Sequence, residues 1–67
     1  MINTKKIKGK MVEKGLTQSA LAGAIGMAQA TLSQKINNQR PMDIQEAYEI
    51  QKALGIPDHE FGLYFFA

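Results

Sequence analysis

Between Thr17 and Asn37 the chain reads TQSALAGAIGMAQATLSQKIN, two short helix patterns that meet across a single glycine, Gly26. No other feature constrains the fold as much. Thr17 has a hydroxyl oxygen that can accept a bond from the free amides of a new helix, although Ala20 replaces the acid that completes a capping box, so a helix is predicted from Gln18. Leu21, Ala22 and Ile25 line one side of it. Gly26 follows where a chain leaves a helix in the left-handed conformation, which glycine enters without a Cβ clash. Beyond the turn, Met27 offers an apolar anchor, and Ala28 to Asn37 resumes helical spacing with Leu32 and Ile36 at i, i+4. Such a pair presents its second helix to something large and grooved.

The remaining sequence reads as helical too, with five helical segments in all and no convincing strand. A first helix is predicted from about Asn3 to Glu13, with Ile7, Met11 and Val12 as its apolar stripe and Lys14-Gly15 as its end. Asn38-Gln39-Arg40-Pro41 is a turn by composition. The fourth helix starts at Asp43, where Asp43 and Glu46 have capping-box spacing, carries Ile44, Ala47, Tyr48, Ile50 and Leu54 as its apolar residues, and stops at Gly55 with Pro57 beyond. A last short segment, Asp58 to about Phe61, leads through Gly62 into the tail Leu63 to Ala67.

Sixty-seven residues allow one core and one domain, residues 1–67, and demand short loops. With no cysteine and His59 as the single histidine, a disulfide framework, a thiolate nucleophile and a Cys/His zinc site are excluded. No cofactor, metal or small-molecule ligand is expected. Nothing in MINTKKIKGK resembles a signal peptide, and no apolar run approaches the roughly 20 residues that span a bilayer. The expected location is the cytoplasm.

The net charge of +2 conceals a division along the chain. Residues 1–40 hold Lys5, Lys6, Lys8, Lys10, Lys14, Lys35 and Arg40 against Glu13 alone, which is +6. Residues 41–67 hold Lys52 against Asp43, Glu46, Glu49, Asp58 and Glu60, which is −4. One half suits a polyanion, although a solvated lysine-rich helix produces the same tally. The helix after Gly26 decides between them. Gln29, Ala30, Ser33, Gln34 and Asn37 form a short-limbed, uncharged polar face, and glutamine and asparagine each carry the donor and acceptor that match adenine N6 and N7 in a major groove. Thr31 and Ser33 can donate to phosphates. No acid occurs from Thr17 to Asn37, where a carboxylate facing phosphates would be penalised.

On Gln18, Leu21-Ala22, Ile25-Gly26-Met27, Thr31 to Arg40 and Ala53-Leu54-Gly55-Ile56, the chain resembles phage repressors of the Cro and CI type, within the xenobiotic-response-element (XRE) group of regulators. The resemblance runs from Ile7 to about Phe61. It implies an all-α, five-helix, lambda-repressor-like domain whose second and third helices form a helix-turn-helix, with Ala22 allowing a close helix crossing and the third helix reading DNA. By that resemblance Gln18 binds a phosphate, Gln29 and its neighbours read bases, and the loop through Asn38 and Arg40 grips the DNA backbone; the candidate base-reading residues are then Gln29, Ala30, Ser33, Gln34 and Asn37, and the candidate backbone contacts Thr17, Gln18, Thr31, Lys35, Asn38 and Arg40. Three positions depart from the pattern. Lys35 stands where many relatives are apolar, so either its stem covers the core or Ile36 takes over the packing. Ala28 replaces a serine or threonine cap, and Asn38 replaces a glycine in a left-handed turn.

The implied function is that of a sequence-specific, double-stranded DNA-binding transcriptional regulator, Cro-like, acting as a homodimer on two-fold related half-sites about 34 Å apart. A protein-interaction module of the same fold, an antirepressor or antitoxin acting through the acidic half and the aromatic tail, is the alternative. An enzyme is disfavoured, because Asp58, His59 and Glu60 have neither a nucleophile nor a glycine-rich phosphate loop nearby. Phe61, Tyr64, Phe65 and Phe66 are too much apolar surface to leave in water on so small a chain, and serve either the monomer core or a contact with a second subunit.

Overall fold

The computed structural model describes residues 1–66, and their helices follow in the order α1 (Thr4–Lys14), α2 (Gln18–Ile25), α3 (Gln29–Ile36), α4 (Ile44–Leu54) and α5 (Phe61–Phe65), with a 3-10 turn over Asp58–Glu60 running into α5. Among the described residues there is no strand. The molecule measures 27 × 24 × 20 Å. Its core joins Ile7 and Met11 of α1, Leu21 and Ala22 of α2, Leu32 and Ile36 of α3, Ala47, Ile50 and Leu54 of α4, Ile56, and Tyr64 and Phe65 of α5. Burying each of the larger aliphatic side chains contributes roughly 1.5–3 kcal/mol. The all-helical reading agrees with this architecture.

Local signals place the helix ends. Asn3 accepts a bond from the Lys6 amide at 3.2 Å to start α1, and Thr17 accepts from the Ala20 amide at 3.0 Å to start α2. Asp43 and Glu46 make the reciprocal capping box, with Asp43 accepting from the Glu46 amide at 2.8 Å and Glu46 from the Asp43 amide at 3.0 Å. At the ends of α1, α2 and α4, Gly15, Gly26 and Gly55 take φ of 69°, 70° and 66°. In that region an L side chain carries a steric cost that glycine lacks.

Three of the apolar helix residues face solvent instead. Val12 is 81 % exposed because α1 turns only its Ile7–Met11 stripe inward, and five residues on from Ile7 a helix has rotated about 140° away. Ile44 and Tyr48 are each about half exposed, since α4 buries Ala47, Ile50 and Leu54, and the i, i+4 pair of Ile44 and Tyr48 forms the next stripe round. The chain after Gly62 also differs from a tail. It stays helical through Phe65, placing Tyr64 and Phe65 in the core. Ala67, the last residue of the expected tail, lies outside the described residues.

α5 closes the fold by a main-chain bond at its far end. The Asn3 amide donates to the Tyr64 carbonyl at 2.8 Å, so the first and last segments meet. Phe61 stands between Tyr48, Phe65 and Phe66, with ring centroids 5.1, 4.7 and 5.6 Å away. That cluster has a dry side and a wet one: Phe65 is buried, whereas Phe66 is 66 % exposed.

Candidate nucleic-acid interface

α2 packs against both α3 and α4, while α1 packs against α4 and α5, so α3 is carried on one side of the bundle. Its attachment begins at Gly26, where the Met27 amide reaches back to the Ala22 carbonyl at 2.9 Å. This bond ends α2 and turns the chain. Ile25 and Met27 then press partly buried against the core, and Leu32 and Ile36 are fully enclosed. With that stripe turned inward, helical geometry directs Ala30 and Gln34 outward and leaves Ser33 and Asn37 to one side.

The predicted reading residues divide by how free they are. Gln29, Ala30 and Gln34 are exposed, and no hydrogen bond within the described residues engages the side chains of Gln29 or Gln34. Ser33 and Asn37 are half-buried and partly occupied with each other. Asn37 Nδ2 donates to the Ser33 carbonyl at 2.8 Å and approaches Ser33 Oγ at 3.4 Å, which closes the C-terminal end of α3. At its N-terminal end, Ala28 has extended backbone angles and no side-chain cap. The first amides of α3 therefore have no side-chain partner from residue 28.

The predicted backbone-contact residues are less uniform. Thr17 is the exposed cap of α2, and Gln18 is half-buried in its first turn. Thr31 is half-buried on α3. Lys35 bridges to Glu46 Oε2, and the side chains of the pair are only 12 % and 20 % exposed. The two readings offered by sequence are both met in part: Ile36 supplies the packing, and the Lys35 stem lies low enough to deliver its ammonium to α4. Donation from Lys35, followed by the bond from the Asp43 amide, holds the Glu46 carboxyl below the usual carboxylate range. Asn38 has φ 61°, the left-handed turn expected of it, but its amide is engaged with Ile2. Arg40 is exposed and forms no ion pair among the described residues.

On α1 the cations are likewise unequal. Lys10 binds Glu13 at 2.6 Å, a bond that raises the lysine's pKa and lowers the glutamate's. Lys6 sits 5.0 Å from the centre of the Tyr64 ring, and Lys5 and Lys8 are exposed without a partner among the described residues. His59 is exposed beside Glu60, at 3.6 Å, and no group of three or more potential metal ligands occurs among the described residues. No described helix is long and apolar enough to cross a membrane.

The bonds from Lys35 to Glu46 and from the Ile2 amide to Asn38 were not anticipated from sequence. For the first a signal was present: Lys35 lies about 60° round α3 from Leu32, on the flank and not opposite the core, so its head group is directed along the bundle. For the second there was none, because the partners are 36 residues apart and one of them is main chain. Comparison with known proteins gives one family. Residues 2–67 match the family described as "Protein of unknown function (DUF739)". No curated protein matches the chain. With all but its first residue covered by that match, the chain belongs to the DUF739 family.

Proposed function

We propose that this protein is a sequence-specific, double-stranded DNA-binding transcriptional regulator of the Cro and CI type, in which α2 and α3 act as a helix-turn-helix within a lambda-repressor-like domain. One observation carries the reading: Gln29 at the start of α3 and Ala30 and Gln34 on its outward side are exposed, with both glutamine side chains free of internal bonds, on a stretch from Thr17 to Asn37 that contains no acid. In a major groove, the glutamine amides pair with base edges, and Ala30 meets a thymine methyl. Thr17, Gln18, Thr31 and Arg40 serve the phosphates in this reading. The role is binding without catalysis, in the cytoplasm of the cell that holds the regulated genes.

A homodimer on two-fold related half-sites completes the proposal. Ile44, Tyr48 and Phe66 are half or more exposed, and the rings of Tyr48 and Phe66 adjoin Phe61, giving a face on which a second copy can close. The same face supports the second reading, an antirepressor-like or antitoxin-like module that binds another protein through its apolar and acidic half. Salt separates the two, since phosphate contacts weaken steeply with ionic strength while apolar association does not.

The test is selection of bound duplexes from random DNA at a stated salt concentration, followed by titration of Gln29→Ala and Gln34→Ala against selected and random duplexes. Each variant is expected to lose about 1–3 kcal/mol of discrimination while keeping general affinity. Full discrimination in both variants would remove α3 as the reading element.

A further inference from the structure

Asn38 occupies a position that glycine fills without strain, yet it carries an amide whose capacity is nearly spent inside the molecule. Its Oδ1 accepts from the Ile2 amide at 2.8 Å, and its Nδ2 donates to the Ile2 carbonyl at 2.9 Å and approaches Thr4 Oγ1 at 3.4 Å. Thr4 Oγ1 in turn donates to the Ile36 carbonyl at 2.7 Å. Residues 36 and 38, on either side of the end of α3, are therefore both gripped by residues 2 to 4. The Asn38 amide group is thus turned towards this segment, with Oδ1 and Nδ2 both bonded to the Ile2 main chain. Two residues further on, Arg40 is exposed and without an ion pair among the described residues.

We propose that Asn38 is a positioning residue, a latch that ties the loop after α3 to residues 2–4 and so holds the Arg40 guanidinium where it meets a DNA phosphate. The effect on DNA rests on the function proposed above; the latch itself does not. Asn38 acts through Arg40, and its removal matters only while Arg40 is present. Because the Asn3 amide is bonded to the Tyr64 carbonyl, the same latch also joins the loop to α5.

The experiment is a double-mutant cycle of Asn38→Gly and Arg40→Gln on the full chain, with affinity for a selected duplex measured across a range of salt, and with 15N relaxation of the free proteins. Glycine keeps the positive φ, so the variant folds. Arg40→Gln is expected to flatten the slope of log K against log salt by about 0.9 for the one phosphate lost. Asn38→Gly is expected to flatten it in the same direction, to add nothing in the Arg40→Gln background, and to drop the Ile2 order parameter from about 0.85 towards 0.6. Thr4→Val, which removes no group from the loop, should reproduce a smaller part of both effects. Equal losses from Asn38→Gly in the two backgrounds would mean that Asn38 touches DNA itself and would overturn the proposal. Unchanged order at Ile2 in Asn38→Gly would overturn the latch. Absence of any binding to DNA by the unaltered protein overturns the DNA-binding reading and, with it, the role of Arg40, leaving the order parameters to judge the latch alone.

Discussion

Lys35 and Glu46 are joined by an ion pair that fastens the last turn of α3 to the first turn of α4, and the same carboxylate accepts the Asp43 amide that begins α4. One side chain thus serves a helix start and a contact between helices.

That arrangement predicts how the protein responds to acid. The Glu46 carboxyl is held below its ordinary range, so its contribution to stability is complete above the unfolded-state value, about 4.3, and disappears as pH falls through the lower folded-state value. Thermal unfolding followed by circular dichroism should show Tm falling as pH drops below about 5, towards the lowered folded-state value. Glu46→Gln should start from a lower Tm at neutral pH and fall less. The exposed Lys10–Glu13 pair shifts in the same direction but adds little, as exposed pairs do. An equal acid limb in Glu46→Gln would assign it to other carboxyls.

Lys35 should behave as a structural cation. Lys35→Gln is expected to leave the salt dependence of DNA binding nearly unchanged and to lower stability by roughly 1–3 kcal/mol, the loss expected when a charged hydrogen bond is broken. Denaturant unfolding and salt titration check the two halves of the statement. A slope reduced by a full phosphate would show that DNA takes the ammonium from Glu46.

Two glycine substitutions should move stability in opposite directions. Gly26→Ala forces a side chain into φ 70° and is expected to cost roughly 1–2 kcal/mol. Gly9 lies within α1 with no atom within 4 Å of an added Cβ, so Gly9→Ala should gain roughly 0.5–1 kcal/mol. Urea midpoints with unchanged m-values would establish both.

Adjacent phenylalanines should separate folding from association. Phe65→Ala is expected to cost about 3–5 kcal/mol, because it empties a core position that is 3 % exposed. Phe66→Ala should leave the stability of the dilute protein within about 0.5 kcal/mol and weaken self-association in sedimentation. If Phe66→Ala unfolds the chain, or associates as tightly as the unaltered protein, the face beside Phe61 does not join two copies.

Most helix boundaries were legible because their causes are local. Thr17, Gly26, the Asp43–Glu46 pair and Gly55 each act within one turn, and each stands where its residue type suggested. The inward faces were less legible. Apolar spacing reports that Val12, Ile44 and Tyr48 are on helices, but which of two neighbouring stripes is covered depends on where other helices lie. Gly62 reads as a break, yet α5 continues through it because Tyr64 and Phe65 are buried beyond. At the candidate interface, Gln29, Ala30 and Gln34 were legible as free side chains on one helix. The engagements of Lys35 and Asn38 were not, since both depend on partners brought in by the fold.

The missing side-chain cap at Ala28 has a final consequence for how such a protein can diverge. α3 is held by Leu32, Ile36 and the groups at its far end, whereas Gln29, Ala30 and Gln34 support nothing else in the molecule. Exchanging these three residues should leave folding almost untouched, so that under the function proposed above a change of DNA target requires no rebuilding of the scaffold.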